Sequence, residues 1–210
     1  MDMRLTFNEV VSDYDRMRLL YVNELFDDAL QFSSLNSNQK ALEIGIGTGQ
    51  ATLPFLKTGC KLTAIELGDK LAAFSKEKFS EFVNFDVINN DFETVTLENN
   101  SYDFVYSASA FQWIRQEIGY PKIHSLLKSG GVLALFWHRL IPAQEYAHVK
   151  AAIGKVYDKY RQSFEKVPQI PQQHTEEIRL KTVDIIKGYG FTDVTLKSYH
   201  RTVMYNAEIG

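Results

Sequence analysis

The sequence predicts an α/β protein: a doubly wound, mostly parallel Rossmann-like sheet with helices on both faces. Three observations carry this expectation. Five short apolar runs rich in β-branched and aromatic residues alternate with helix-like segments between residues 40 and 137. The first run leads directly into glycines at alternate positions, Gly45, Gly47 and Gly49. The second run ends in an acid, Glu66. In doubly wound sheets such features gather at the carboxyl ends of the first strands, where ligands bind.

Taken in order, residues 1–35 read as an N-terminal cap, with one amphipathic helix over 14–30. It carries Leu19, Val22, Phe26, Ala29 and Leu30 at helical spacing. Residues 36–139 read as the ligand-binding core. Strands are predicted at 41–44, 62–66, 83–89, 104–107 and 132–137, because these runs are short and apolar like buried parallel strands. Helices or helical loops are predicted at 50–57, 69–79, 111–113 running on towards Glu117, and 121–127. Residues 140–175 read as a helical cap: Tyr146, Val149, Ile153, Val156, Tyr160 and Phe164 make one apolar stripe, which the prolines at 168 and 171 end. Residues 176–210 read as a helix and a strand. Thr175 is the expected N-cap, Glu176 and Glu177 suit the first turn, Gly188 and Gly190 close the helix, and 191–205 alternates as a long sixth strand.

Bulk properties narrow the class. A chain of 210 residues, 45% hydrophobic and 23% charged, holds one α/β domain with a full core and is short for two. A net charge of -3 offers no electrostatic reason to expect nucleic acid or an anionic membrane surface as partner. No apolar run approaches membrane-spanning length, and residues 1–7 do not read as a signal peptide. A single cysteine, Cys60, suits a reducing compartment, so a cytoplasmic location is expected. His124, His138, His148, His174 and His200 are scattered without ligand spacing, and no metal is expected.

The candidate site follows from the strand ends. Glycines after a strand let backbone N–H groups approach a ligand, because no Cβ stands in the way. Glu43, one of the residues before them, sets a carboxylate near the same loop, which argues against a ligand held mainly by phosphates. An acid in the place of Glu66 accepts hydrogen bonds from ribose hydroxyls. Asp91 can accept from an exocyclic amino group, and Phe92 offers a ring face or an amide to a base edge. After the fourth strand, small residues from Ser107 to Ala110 allow close approach, and Phe111, Gln112 and Trp113 can form a wall.

The order Glu43-x-Gly45-x-Gly47-x-Gly49, Glu66, Asp91-Phe92, Tyr102-Asp103-Phe-Val-Tyr106 and Leu126-Leu-Lys-Ser-Gly-Gly131 resembles a class I S-adenosylmethionine-dependent methyltransferase over residues 8–137. Within that class, Tyr14-Asp15, Arg18, Tyr21 and Ala110-Phe-Gln-Trp113 are similar to small-molecule enzymes of the trans-aconitate and ubiquinone-biosynthesis type. The resemblance implies S-adenosyl-L-methionine as cofactor and methyl transfer to a small acceptor, with a carboxylate one option. It implies that Gly45, Gly47 and Gly49 shape the loop around the methionine part, with Glu43 near its ammonium or the loop amides. Glu66 would hold the ribose, Asp91 and Phe92 the adenine, and Ser107 would lie near the methionine end. Tyr14, Arg18, Phe111, Gln112, Trp113 and His138 are the substrate-side candidates, with no catalytic base assigned.

The sequence departs from these relatives where many carry His and this chain has Gln112, and where their Arg-Pro pair appears as Arg18-Leu19. The class ends in a hairpin of sixth and seventh strands, so residues 1–210 are expected to be a single domain shortened at its C-terminus. Two other readings stand beside this one. A nicotinamide-dependent oxidoreductase would want glycine where Gln50 stands, and Glu43 would oppose a pyrophosphate. A non-catalytic S-adenosylmethionine-binding protein would keep the fold without the chemistry.

Overall fold

The computed structural model describes residues 3–9, 11–138, 151–152, 154–155 and 176–201. Two compact units divide the chain, one formed by 1–138 with 186–210, the other by 139–185. The first unit holds a five-stranded sheet in the order β3-β2-β1-β4-β5, every pairing parallel. Its strands are β1 (Lys40–Ile44), β2 (Lys61–Glu66), β3 (Phe85–Asn89), β4 (Tyr102–Ala108) and β5 (Leu127–Phe136). All five predicted strands are present. The order reverses beside β1, and the crevice at this switch point is where such sheets bind ligands.

Two apolar layers sandwich the sheet. On one face Phe26, Phe55, Phe104, Tyr106 and Phe136 pack together; on the other Leu42, Ile44, Ile65, Val105 and Ile123 do. Helices α3 (Thr52–Leu56), α4 (Asp69–Lys78) and α5 (Gln116–Leu126) connect the strands. Pro121 lies inside α5, which therefore starts earlier than the predicted 121–127. The β4–β5 register shifts between Tyr102 and Phe104, which pair with Leu127 and Val132. Gly130, at φ 75, lies in the extra stretch on β5. Trp137 falls just past the end of β5 and is 41% exposed.

Two expectations need correction. Residues 14–30 are not one helix: α1 spans Val11–Met17 and α2 spans Asn23–Ser33. The intervening segment opens because Tyr21 is drawn into the core, edge-on to Phe26 and Phe136, with its hydroxyl 2.8 Å from Ser109. Tertiary packing here overrides a local helical pattern that contains no glycine or proline. Residues 191–201 form no strand, and 202–205 lie outside the described residues. Side chains rather than a backbone ladder anchor this stretch. Phe191 packs edge-on against Tyr120 and His124, Lys197 pairs with Asp28 at 2.7 Å, and Arg201 donates to the Leu20 carbonyl at 2.9 Å.

Helix α6 (Glu176–Gly188) begins where the acidic first turn was expected, and Gly190 follows it at φ 95. The Thr175 cap, the proline break at 167–171 and nearly all of the 144–166 stripe lie outside the described residues. Of the stripe region, 151–152 and 154–155 are helical. Among the described residues no helix is long and apolar enough to cross a membrane.

Candidate active site

The carboxyl ends of β1, β2, β3 and β4 surround a cavity of about 230 Å³. Gly45 and Gly47 lie on its wall with Glu66, Asp91 and Phe92, and so do Arg18, Gln112 and Trp113. Most of the residues singled out by sequence thus meet in one place.

The glycine loop is shaped by three positive φ angles: 72 at Gly45, 58 at Gly47 and 81 at Gly49. A Cβ on Gly45 would stand 2.4 Å from the Ala110 side chain, so this glycine lets the β1 and β4 loops touch. Gly49 serves packing instead. Its Cβ would meet the Phe79 ring at 2.3 Å, and the residue is not on the cavity wall.

Glu66 lies 8% exposed at the end of β2. One carboxylate oxygen accepts from the Gly47 N–H at 2.8 Å, the other from the Gly68 N–H at 2.9 Å. Burial raises its carboxyl above the ordinary range, and these amides pull it back. Each oxygen keeps a further lone pair for a donor in the cavity.

Asp91 follows β3. Its Oδ1 accepts from the Glu93 N–H at 2.9 Å, and its Oδ2 from the Arg4 guanidinium at 2.8 Å. Arg4 belongs to a short 3₁₀ segment, Met3–Glu9, that spans the ends of β2 and β3. Asn8 pins that segment. Its Oδ1 accepts from the Lys70 N–H at 2.9 Å and the Leu71 N–H at 3.3 Å, capping α4, and its amide donates to Asp69 at 2.8 Å. Gly68 makes room for this cap, since a Cβ there would sit 2.6 Å from the Asn8 oxygen. Neither Arg4 nor Asn8 carried any sequence signal; each is an isolated polar residue upstream of every motif.

Glu43 is corrected in place and in charge. Only 1% exposed, it lies under the loop and not on the cavity wall. Its Oε2 accepts from Thr52 at 2.7 Å and from the Tyr106 hydroxyl at 2.8 Å. Burial pushes its carboxyl up to about 8, against the pull of those two hydroxyls. At neutral pH Glu43 is thus mainly a neutral tether between β1, α3 and β4 rather than a counter-ion. Ser107 is likewise structural: fully buried, it donates to the Ile44 carbonyl at 2.8 Å.

The other side of the cavity is built from Arg18, Tyr21, Ser109, Gln112 and Trp113. Ser109 takes φ 56, a left-handed value uncommon for a residue with a Cβ. Its carbonyl accepts from the Gln112 amide at 2.8 Å, whose oxygen accepts from the Trp137 indole at 2.8 Å. Phe111 points into the core, 3% exposed against Tyr120, and is not on the wall. His138 stacks on Tyr21 with ring centroids 3.9 Å apart. Its Nε2 lies 3.2 Å from the Leu20 carbonyl, which can only accept, so Nε2 holds the proton and Nδ1 is the lone-pair nitrogen. Burial lowers the imidazole below its usual value and keeps it neutral, but the residue is not on the wall. Tyr14 is on α1, its side chain outside the described residues. Tyr21 entered the sequence reading only through the family resemblance and Ser109 only as one of the small residues 107–110; their pairing across the cavity was not predicted.

The residues present fit an adenosine-bearing amino acid better than a dinucleotide. Two carboxylates lie on the wall and can accept from a diol and an amine, and the glycine loop gives one of its N–H groups to Glu66. Among the described residues no cluster suits a metal ion.

Comparisons with known proteins agree. Residues 42–135 match the family described as "Methyltransferase domain". An uncharacterised methyltransferase of Schizosaccharomyces pombe is 25% identical, over 97% of this chain and 74% of its own length. One from Mycobacterium bovis is 27% identical, over 65% of this chain and 54% of its own, so the chain spans about half of that relative. Malonyl-[acyl-carrier protein] O-methyltransferase 1 of Ilyobacter polytropus is 26% identical over 68% of this chain and 54% of its own length. Among solved structures, Haemonchus contortus phosphoethanolamine N-methyltransferase 2 in complex with S-adenosyl-L-methionine shares the fold. Its TM-score is 0.61 at 20% identity, covering 91% of this chain and 43% of that one. Strand order, cavity and matches together indicate an S-adenosylmethionine-dependent methyltransferase, and residues 42–135 are the part that resembles the methyltransferase domain.

Proposed function

We propose that the protein transfers a methyl group from S-adenosyl-L-methionine to a carboxylate oxygen of a small-molecule acceptor. The observation that carries this is Arg18 on the wall of the cavity that Tyr21, Ser109 and Gln112 also line. A guanidinium orients a carboxylate through paired N–H donors. A carboxylate is already deprotonated at neutral pH, so it needs no base, and Gln112 in the place of a histidine is no loss for it. Support also comes from the relative named for malonyl-[acyl-carrier protein], because a malonyl group ends in a carboxylate. The likeness of Tyr14-Asp15, Arg18, Tyr21 and Ala110–Trp113 to trans-aconitate and ubiquinone-type methyltransferases points to small acceptors. A net charge of -3 favours a small molecule over nucleic acid, and a single cysteine favours the cytoplasm.

The bound cofactor supplies a methyl group already activated on a sulfonium, for in-line displacement. What the chain contributes is alignment and exclusion of water, and orienting two reactants is worth up to about 7–11 kcal/mol. Glu66 would accept from the ribose hydroxyls, Asp91 from the adenine amine, and Phe92 would close on the base. Gly45 and Gly47 bring the backbone close to the methionine part, and Arg18 would aim the acceptor oxygen.

The test pairs calorimetry with product analysis. S-adenosylmethionine and S-adenosylhomocysteine should bind and NAD should not, and a carboxylic-acid library should yield methyl esters. Arg18→Met should raise KM for the acid about tenfold or more, with cofactor affinity unchanged. Products methylated only on nitrogen or on phenols would overturn the carboxylate assignment.

A further inference from the structure

We infer that Lys122 is a positioning residue of the cofactor site, setting which oxygen of Asp91 reads the adenine amine. It lies on α5, in no motif, and is not on the cavity wall. Its ammonium donates to the Phe92 carbonyl at 2.6 Å and to the Val95 carbonyl, and it stands 5.1 Å from the centre of the Phe92 ring. Its hydrogen bonds go to backbone carbonyls, and the Asp91 carboxylate acts on its charge from close by without a hydrogen bond.

The chain of contacts runs through one peptide group. The Phe92 carbonyl that receives Lys122 belongs to the same planar unit as the Glu93 N–H. That N–H donates to Asp91 Oδ1 at 2.9 Å. Because carbonyl and N–H of a trans peptide point in opposite directions, holding one holds the other. Hydrogen bonds aligned in such a chain also polarise each other. Lys122 thus commits Oδ1 to the backbone and leaves Oδ2 for the cavity.

Arg4 shows that Oδ2 accepts donors from that side, since its guanidinium is on the cavity wall and reaches Oδ2 at 2.8 Å. An adenine amine would take or share this place. Arg115 steadies the same turn from α5's N-cap position: its side chain meets the Glu93 carboxylate at 2.6 and 2.8 Å and its N–H does so at 2.9 Å. Removing Lys122 therefore loosens the Phe92–Glu93 peptide in particular and leaves the turn attached.

This inference rests on the assignment of Asp91 to the adenine, and the experiment separates the two. Affinities for S-adenosylhomocysteine and its inosyl analogue, which carries a 6-oxo group in place of the 6-amino group, are measured by calorimetry. Wild type should prefer the adenosyl compound by about tenfold or more, as expected when a buried acceptor loses its donor. Lys122→Met should reduce that preference to about threefold or less, mostly by weakening the adenosyl compound, and Lys122→Arg should restore part of it. Asp91→Asn serves as reference and should collapse the preference. If Lys122→Met keeps the full preference while Asp91→Asn loses it, Lys122 is only structural and the inference fails. If Asp91→Asn also keeps it, the adenine assignment itself fails, and the inference with it. Should Lys122→Met not fold, Lys122→Ala, which likewise has no donor, is read in the same way.

Discussion

The two halves of the cavity are built on different principles. On the half proposed to hold adenosine, Glu66 and Asp91 stand at consecutive strand ends, and backbone N–H groups hold three of their four oxygens. On the half proposed to hold the acceptor, Arg18, Tyr21, Ser109 and Gln112 come from an open segment between helices and from the loop after β4, and side-chain contacts set them. The first half is thus a property of the sheet and suits a cofactor shared by many proteins. The second depends on how loops pack against one another. Cofactor chemistry is therefore readable from spacing, whereas the proposed acceptor chemistry rests on contacts between residues such as 21 and 109.

Substitutions can break this contrast, beginning with the largest effect. Gly45→Val places a Cβ at φ 72 and 2.4 Å from Ala110, and so forces apart the loops that both halves share. The backbone cost alone is about 1–2 kcal/mol. Calorimetry should show S-adenosylhomocysteine binding lost, and unchanged binding would mean that close approach of these loops is not needed. Next, Glu66→Ala should weaken cofactor binding by about 1–3 kcal/mol, with acceptor KM little changed at saturating cofactor. An equal loss on both sides would erase the distinction between the halves.

A third prediction concerns Glu43, which lies beneath both halves. Its carboxyl titrates near 8 when folded and near ~4.3 when unfolded. Between those values the folded chain keeps a proton that the unfolded chain has lost. Glu43 therefore stabilises the fold fully below pH ~4, and its contribution declines as pH rises towards 8, by at most about 1.4 kcal/mol per pH unit. Urea unfolding at pH 5, 6.5 and 8 should show this decline in wild type and a flatter profile in Glu43→Gln. Identical slopes would return Glu43 to the role of a charged ligand. The smallest effect is expected from Gln112→Ala at the exposed rim. Acceptor KM should rise about two- to fivefold and the melting temperature should hardly move, because surface changes usually cost under about 0.5 kcal/mol. A large fall in cofactor affinity would show that the rim serves the adenosine half as well.

Much of the fold was legible because parallel strands buried on both faces leave continuous apolar runs, and all five lie close to their expected places. The failures were of one kind. Residues 14–30 have helical spacing, yet the buried Tyr21 pulls the chain open at its middle. Residues 191–201 alternate like a strand, but a strand needs a neighbour's backbone, and here side chains on Asp28 and Tyr120 hold the stretch instead. Periodicity reports which side chains seek burial. It does not report what covers them.

The sequence by itself determined the parallel sheet, the glycine turn and the acids at the ends of β2 and β3, and with them the cofactor, because short-range spacing fixes what a strand end presents. Tertiary structure alone decided that Glu43 is buried beneath the loop, that Gly49 packs on Phe79, and that Phe111 belongs to the core. It also set Arg4, Tyr21 and Ser109 on the cavity wall. Each of these depends on a partner distant along the chain, and burial and hydrogen bonding to such a partner, rather than residue type, set what the side chain does.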